Sequence, residues 1–148
     1  SMKTTYAIVF AFFATLSLVG CALPPPTTSG AIKEARSHVS FDAEVTLRKA
    51  YRTTLGNMRV CEESGGLPII GAPFIVEGDF ADDNKSGTVS LIYVPFSGRQ
   101  VFTVVTLTEL AANKTRVEVF NRHPSSEAGK AFLINKYKKW MDGGTDCN

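Results

Sequence analysis

Residues 88–121 read TVSLIYVPFSGRQVFTVVTLTELAANKTRVEVFN, and this stretch decides the fold. Val, Ile, Thr, Tyr and Phe dominate it, and such side chains favour a pleated backbone because a branched Cβ or a ring packs well across neighbouring strands. Two breaks divide the stretch, Ser97-Gly98-Arg99 and Ala111-Ala112-Asn113-Lys114, each short enough for an antiparallel hairpin. Three strands are expected, over residues 88–96, 101–110 and 115–121. Upstream, residues 69–80 form another β-rich run, joined on by Asp82-Asp83-Asn84-Lys85-Ser86-Gly87, so four strands follow one another as a meander. Val101, Val105 and Leu107 alternate with Phe102 and Val104, so periodicity alone leaves open which side meets the helices.

On either side of the meander the period changes. Asp42 offers an N-cap, and Leu47, Tyr51, Leu55 and Met58 then recur every three or four residues, with Cys61 continuing the stripe. This predicts an amphipathic helix that stops near Ser64-Gly65-Gly66, because adjacent glycines readily take the left-handed conformation that ends helices. Residues 32–41 are expected to form a strand ahead of it. After the meander, Ser125 or Ser126 would cap a last helix with Phe132, Leu133, Tyr137, Trp140 and Met141 on its apolar side. The expected architecture is an α+β two-layer sandwich in the order β-α-β-β-β-β-α, an antiparallel sheet of four to five strands with both helices on one face. A half-open barrel curled around the first helix is the competing arrangement.

The N-terminus carries a different signal. Lys3 precedes an uncharged run from Tyr6 to Val19, too short for a lasting membrane span and followed by Pro24-Pro25-Pro26. Leu18-Val19-Gly20-Cys21 at its end resembles the lipobox of bacterial lipoprotein precursors, with Leu three places before the Cys and Gly directly before it. The resemblance implies a signal peptide over residues 1–20, with Ser1 ahead of Met2 set aside as a cloning remnant. It also implies cleavage before Cys21 and acyl chains such as palmitate on that residue, several of which make anchoring stable. Ala22 rather than Asp follows the Cys, which by the enteric sorting rule implies the outer membrane, on its periplasmic side. An ordinary secretory signal cut after small residues is the competing reading. Residues 22–30 are read as a Pro-rich tether of extended shape, nine residues reaching roughly 30 Å. Residues 31–148 are read as a single domain.

With Cys21 taken by lipid, Cys61 and Cys147 remain as an even pair in an oxidising compartment and are expected to form a disulfide. The mature part also resembles small uncharacterised proteobacterial periplasmic lipoproteins, through Ala50-Tyr51-Arg52 on a helix ending at Cys61 and a terminal Trp140, Gly143 and Cys147. That resemblance implies a disulfide-closed periplasmic domain and no assigned activity. Loss of Lys3 takes Lys plus Arg from 16 to 15 against 14 Asp plus Glu, a near balance that gives no reason to expect nucleic acid as a partner.

No motif for catalysis, nucleotide binding or metal binding stands out. Asp79, Asp82, Asp83 and Asn84 crowd oxygens as a Ca²⁺ site would, but lack the alternate spacing, central Gly and distal Glu of an EF-hand, so a solvated hairpin turn is expected. Glu62 and Glu63 are adjacent on a helix and diverge. His38 and His123 show no ligand spacing, and no Gly-x-Ser-x-Gly elbow or phosphate loop occurs. Lys130, Lys136, Lys138 and Lys139, with Trp140 beside them, are the candidate contact for an anionic surface, against the plainer reading of a solvated helix face. The expectation is a non-enzymatic, cofactor-free adaptor or binding module, held at the membrane through lipid on Cys21 and engaging an envelope protein. The alternative is a small-molecule or lipid binder with a sheet–helix pocket lined by residues such as Tyr51, Phe74 and Phe102. A cell-wall hydrolase ranks third, since it needs clustered ionisable groups in a cleft.

Overall fold

The computed structural model describes residues 25–63 and 74–148, and the leader, Leu18-Val19-Gly20-Cys21 and Ser64-Gly65-Gly66 lie outside them. Five strands make one antiparallel sheet: β1 (Ser37–Ala43), β2 (Phe74–Phe80), β3 (Ser86–Tyr93), β4 (Gln100–Ala111) and β5 (Lys114–Asn121). Strands β2 to β5 pair consecutively as the meander. β1 then adds to β5, giving the order β1-β5-β4-β3-β2. Three helices accompany them among the described residues, α1 (Thr28–Lys33), α2 (Leu47–Glu62) and α3 (Glu127–Met141). The chain is α+β, with α2 and α3 together on one face of an open sheet.

Strand alternation sends Val39, Val76, Val89, Val105, Leu107, Val117 and Val119 to the α2–α3 face, where they bury against Leu47, Ala50, Met58, Tyr137, Trp140 and Met141. The intervening residues Ile92, Val101 and Val104 form a second cluster on the opposite face, closed by Ala31 and Ile32 of α1 with Ile75 and Phe120. Both sides of β4 are therefore covered at that end, which is why its sequence shows no polar face. Farther along, the face opposite α2 and α3 turns polar, with Ser40 opposite Glu118 and Asp42 opposite Arg116.

Tyr51 occupies a slot that needs two glycines. A Cβ on Gly78 would collide with the Tyr51 hydroxyl and come within 3.1 Å of Leu55, and one on Gly87 would lie 2.8 Å from the Tyr51 ring. The ring lies edge-on to Phe80 at 5.1 Å, and the Arg48 guanidinium sits over the Phe80 ring, 5.4 Å from its centroid.

Several boundaries differ from those read in the sequence. Residues 32–33 lie in α1 and the strand begins only at Ser37, because Thr27 caps a short helix by accepting from the Gly30 N–H and the helix packs half-buried Ala31 and Ile32 against the sheet. Asp42 is within β1 and pairs with Arg116 at 3.0 Å; the N-cap of α2 is Thr46, accepting from Lys49 N–H at 3.2 Å. Ser126 rather than Ser125 caps α3, accepting from Gly129 N–H at 3.1 Å. β3 ends at Tyr93 rather than at residue 96, since Pro95 has no N–H to donate to a ladder. Residues 25–30 are not a free spacer: they are laid against the sheet. The described order is thus α-β-α-β-β-β-β-α. Phe132 is exposed on α3 rather than part of its apolar side.

Candidate functional site

The features with chemical potential gather at the end of the sheet where β2 starts, β3 ends and β4 begins. The β3–β4 register slips by one between Leu91 and Ile92, so Leu91 faces Thr103, Ile92 faces Val101, and Phe102 is the extra residue of a β-bulge. Phe102 thereby joins Phe74 and Tyr93 in a three-ring cluster, with centroids 5.0 Å apart for Phe74–Tyr93, 5.8 Å for Phe74–Phe102 and 5.9 Å for Tyr93–Phe102. Arg122 sits over Phe102 at 5.2 Å and His123 lies 5.9 Å from the same ring. The three rings are half-buried. Of the residues read as pocket-lining, the structure brings Phe74 and Phe102 together and leaves Tyr51 apart, in its glycine slot.

The N-terminal segment docks at the same end. Pro25 C=O accepts from Val101 N–H at 3.1 Å, taking a β4 donor just past the last β5 pairing. Arg99 Nε donates to Pro26 C=O at 3.2 Å while its two terminal nitrogens hold Glu77 in a fork, at 2.8 and 2.6 Å. That fork lowers the Glu77 pKa below the ordinary carboxylate value and raises that of Arg99. Thr28 at the start of α1 shares a hydrogen bond of 3.2 Å with Ser90. Between them, Thr28, Glu77, Gly78, Asp79, Thr88 and Ser90 line a recess of about 150 Å³. Most of these residues carry a hydroxyl or a carboxylate, beside a larger share of apolar surface, and the recess is well under the roughly 300 Å³ at which drug-sized ligand pockets begin.

The β3–β4 loop, residues 94–99, closes this end. Gly98, at φ 111°, donates to Pro95 C=O at 3.0 Å, fixing a tight turn. Phe96 at the tip is fully exposed, and Val94 is exposed as well. Reading residues 88–96 as unbroken strand concealed this loop; Pro95 was the signal for it.

Cys61 at the end of α2 is bonded to Cys147, with Cα atoms 5.3 Å apart. The four lysines of the last helix do not share a surface. At ~100° per residue they spread around the whole helix. Lys130 pairs with Glu127 at 3.4 Å. Lys136 is 12% exposed, 3.6 Å from Glu62 and over the Trp140 ring at 5.2 Å, so it serves helix packing. Lys138 lies over Phe41 at 5.7 Å, and Lys139 is exposed. The adjacent carboxylates diverge as read: Glu62 goes to Lys136, and Glu63 accepts from Val76 N–H at 2.9 Å. The acidic turn is a hairpin, with Asp83 accepting from Lys85 N–H and Asn84 at φ 58°. His38 stacks on Phe120, away from His123. Among the described residues no three His, Cys, Asp or Glu side chains converge as a metal site would require, and no helix is long and apolar enough to cross a membrane.

No family model and no curated protein matches the chain. Among solved structures it is similar to DynU16, a putative protein in the dynemicin biosynthetic locus, at 14% identity over 75% of this chain and a TM-score of 0.41. The chain spans about half of that protein, 48% of its length. It is also similar to a putative uncharacterized protein from Bacillus thuringiensis, at 16% identity over 72% of this chain and 91% of the other, with a TM-score of 0.31. At scores this low neither likeness carries a functional argument.

Proposed function

We propose that this chain is a lipid-anchored protein of the bacterial cell envelope whose folded domain is a non-enzymatic binding module, an adaptor for another envelope component. The observation that carries the reading is the bond between Cys61 and Cys147. Such a bond persists in oxidising compartments and leaves Cys21, within its lipobox-like run, as the remaining cysteine for lipid. The packed interior between sheet and helices, where Tyr51, Met58, Tyr137 and Trp140 fill the space, supports recognition by surface rather than by enclosure. Labelled palmitate and crosslinking in intact cells test it together. The native protein should incorporate palmitate, and Cys21→Ala should not. Mass spectrometry should identify an envelope protein captured by the native protein alone. Equal palmitate labelling of both forms would refute the anchor, and capture of no protein would refute the adaptor.

The three-ring cluster with Arg122 and His123 favours a second reading, small-ligand binding at the open end of the sheet. An aromatic, weakly anionic molecule suits half-buried rings beside a guanidinium. Replacing Phe102 by Ala would abolish such binding without touching membrane attachment.

A further inference from the structure

We propose that the β3–β4 loop, with Phe96 at its tip and Val94 beside it, inserts into the membrane leaflet that carries the lipid on Cys21. The inference rests on the lipid-anchor reading above and names the surface that the anchored domain meets. Its first support is reach. Pro25 is fixed to Val101, so only three residues separate Cys21 from the docked body, four Cα steps that span at most about 14 Å. A free tether through residue 30 would have let the domain turn in any direction. The docked segment instead holds the Val101 end of the sheet close to the anchor.

The second support is the chemistry of what that end presents. The loop that leads directly into Val101 carries a phenylalanine with no protein neighbour covering it and an exposed valine two residues earlier. Solvent exposure of both is unfavourable, and a leaflet within reach removes it. Pro95 and the Gly98–Pro95 hydrogen bond hold the turn in shape, so insertion does not require ordering the loop first. The one charge in the loop, Arg99, is already matched by the Glu77 fork, which spares the interface an unpaired cation or carboxylate. Arg99 also grips Pro26, so the residue that neutralises the loop is the one that ties it to the anchored segment.

The test places an environment-sensitive nitrobenzoxadiazole probe on Phe96→Cys in the lipidated protein, reconstituted into vesicles of phosphatidylethanolamine and phosphatidylglycerol. The control carries the same probe on Asp82→Cys, in the β2–β3 turn at the opposite end of the strands. Both positions are exposed, so neither substitution disturbs packing, and far-ultraviolet circular dichroism checks this directly. The expected result is blue-shifted emission at position 96 that doxyl-labelled lipids quench and aqueous iodide does not, with the reverse at position 82. Flotation with the vesicles reads the anchor separately. A protein that carries no acyl chain and fails to float refutes the anchor reading, and this inference with it. A protein that floats while its position-96 probe stays open to iodide and blind to doxyl lipids overturns the loop proposal and leaves the anchor standing.

Discussion

Replacing Gly78 by Ala tests the core most directly, because one added methyl meets a defined obstacle. The new Cβ would overlap the Tyr51 hydroxyl, lie 3.0 Å from Tyr51 Cζ and 3.1 Å from Leu55 Cδ1. Overpacking of this kind costs about 1–3 kcal/mol. Loss of glycine's freedom in the unfolded chain returns roughly 0.4–1 kcal/mol, so the net destabilisation should be about 1–2 kcal/mol. At roughly 4 °C per kcal/mol for a domain of this size, the melting temperature should fall by about 4–8 °C. The closest contact is with the hydroxyl alone, so the cost should shrink when Tyr51→Phe removes that oxygen. A double-mutant cycle followed by urea denaturation should give a favourable coupling of about 1 kcal/mol between the two changes. Additive effects, or a Gly78→Ala protein as stable as the parent, would refute the glycine-slot account of why Tyr51 sits where it does.

Two other expectations concern the covalent and ionic ties. Cys61→Ser opens a loop of 86 residues, and the chain-entropy model puts the loss at about 4.6 kcal/mol, a fall in melting temperature on the order of 15 °C by calorimetry. The Glu77 pKa is lowered, chiefly by the Arg99 hydrogen bonds, so the pair contributes stability above the ordinary carboxylate pKa and loses it as pH falls through the depressed value. With 49% and 38% of the two side chains exposed, that contribution is under about 1 kcal/mol. The melting-temperature difference between native protein and Glu77→Gln should therefore be present at neutral pH and vanish in acid; a difference independent of pH would contradict it.

What could be read without coordinates was what depends on local chemistry and periodicity. The four strands of the meander, the stripe from Leu47 to Cys61 and the two flanking helices follow from side-chain type and spacing, whereas the common face of the helices follows from how such elements pack in layers. The helix α1 was not legible, since Thr-Ser-Gly-Ala-Ile-Lys has no strong helical preference and is held by the Thr27 cap and by packing of half-buried Ala31 and Ile32 on a distant part of the chain. Nor was the shift of the N-cap from Asp42 to Thr46, because Asp42 is claimed by Arg116, 74 residues away. The candidate site was legible only in fragments. Phe74 and Phe102 stood out as aromatics, but their meeting depends on a bulge that leaves no mark on the sequence pattern. The lysines of α3 read as a candidate contact for an anionic surface against a plain solvated face, and the inward turn of Lys136 to Glu62 depends on a partner far away in the sequence.

The position of the disulfide has a mechanical consequence. The bond closes residues 61–147 into a covalent ring that contains β2 to β5 and α3, while α1, β1 and almost all of α2 stand outside it. Tension drawn through Pro25 would be borne first by the Val101 and Arg99 contacts, then by α1, then by the seven paired residues of β1 along β5. Beyond Cys61 the backbone cannot pay out as a single strand, because any further pull is shared with Cys147. The domain is thus yielding on its N-terminal side and inextensible behind it, so a load would strip α1 and β1 while the four-strand ring kept its length.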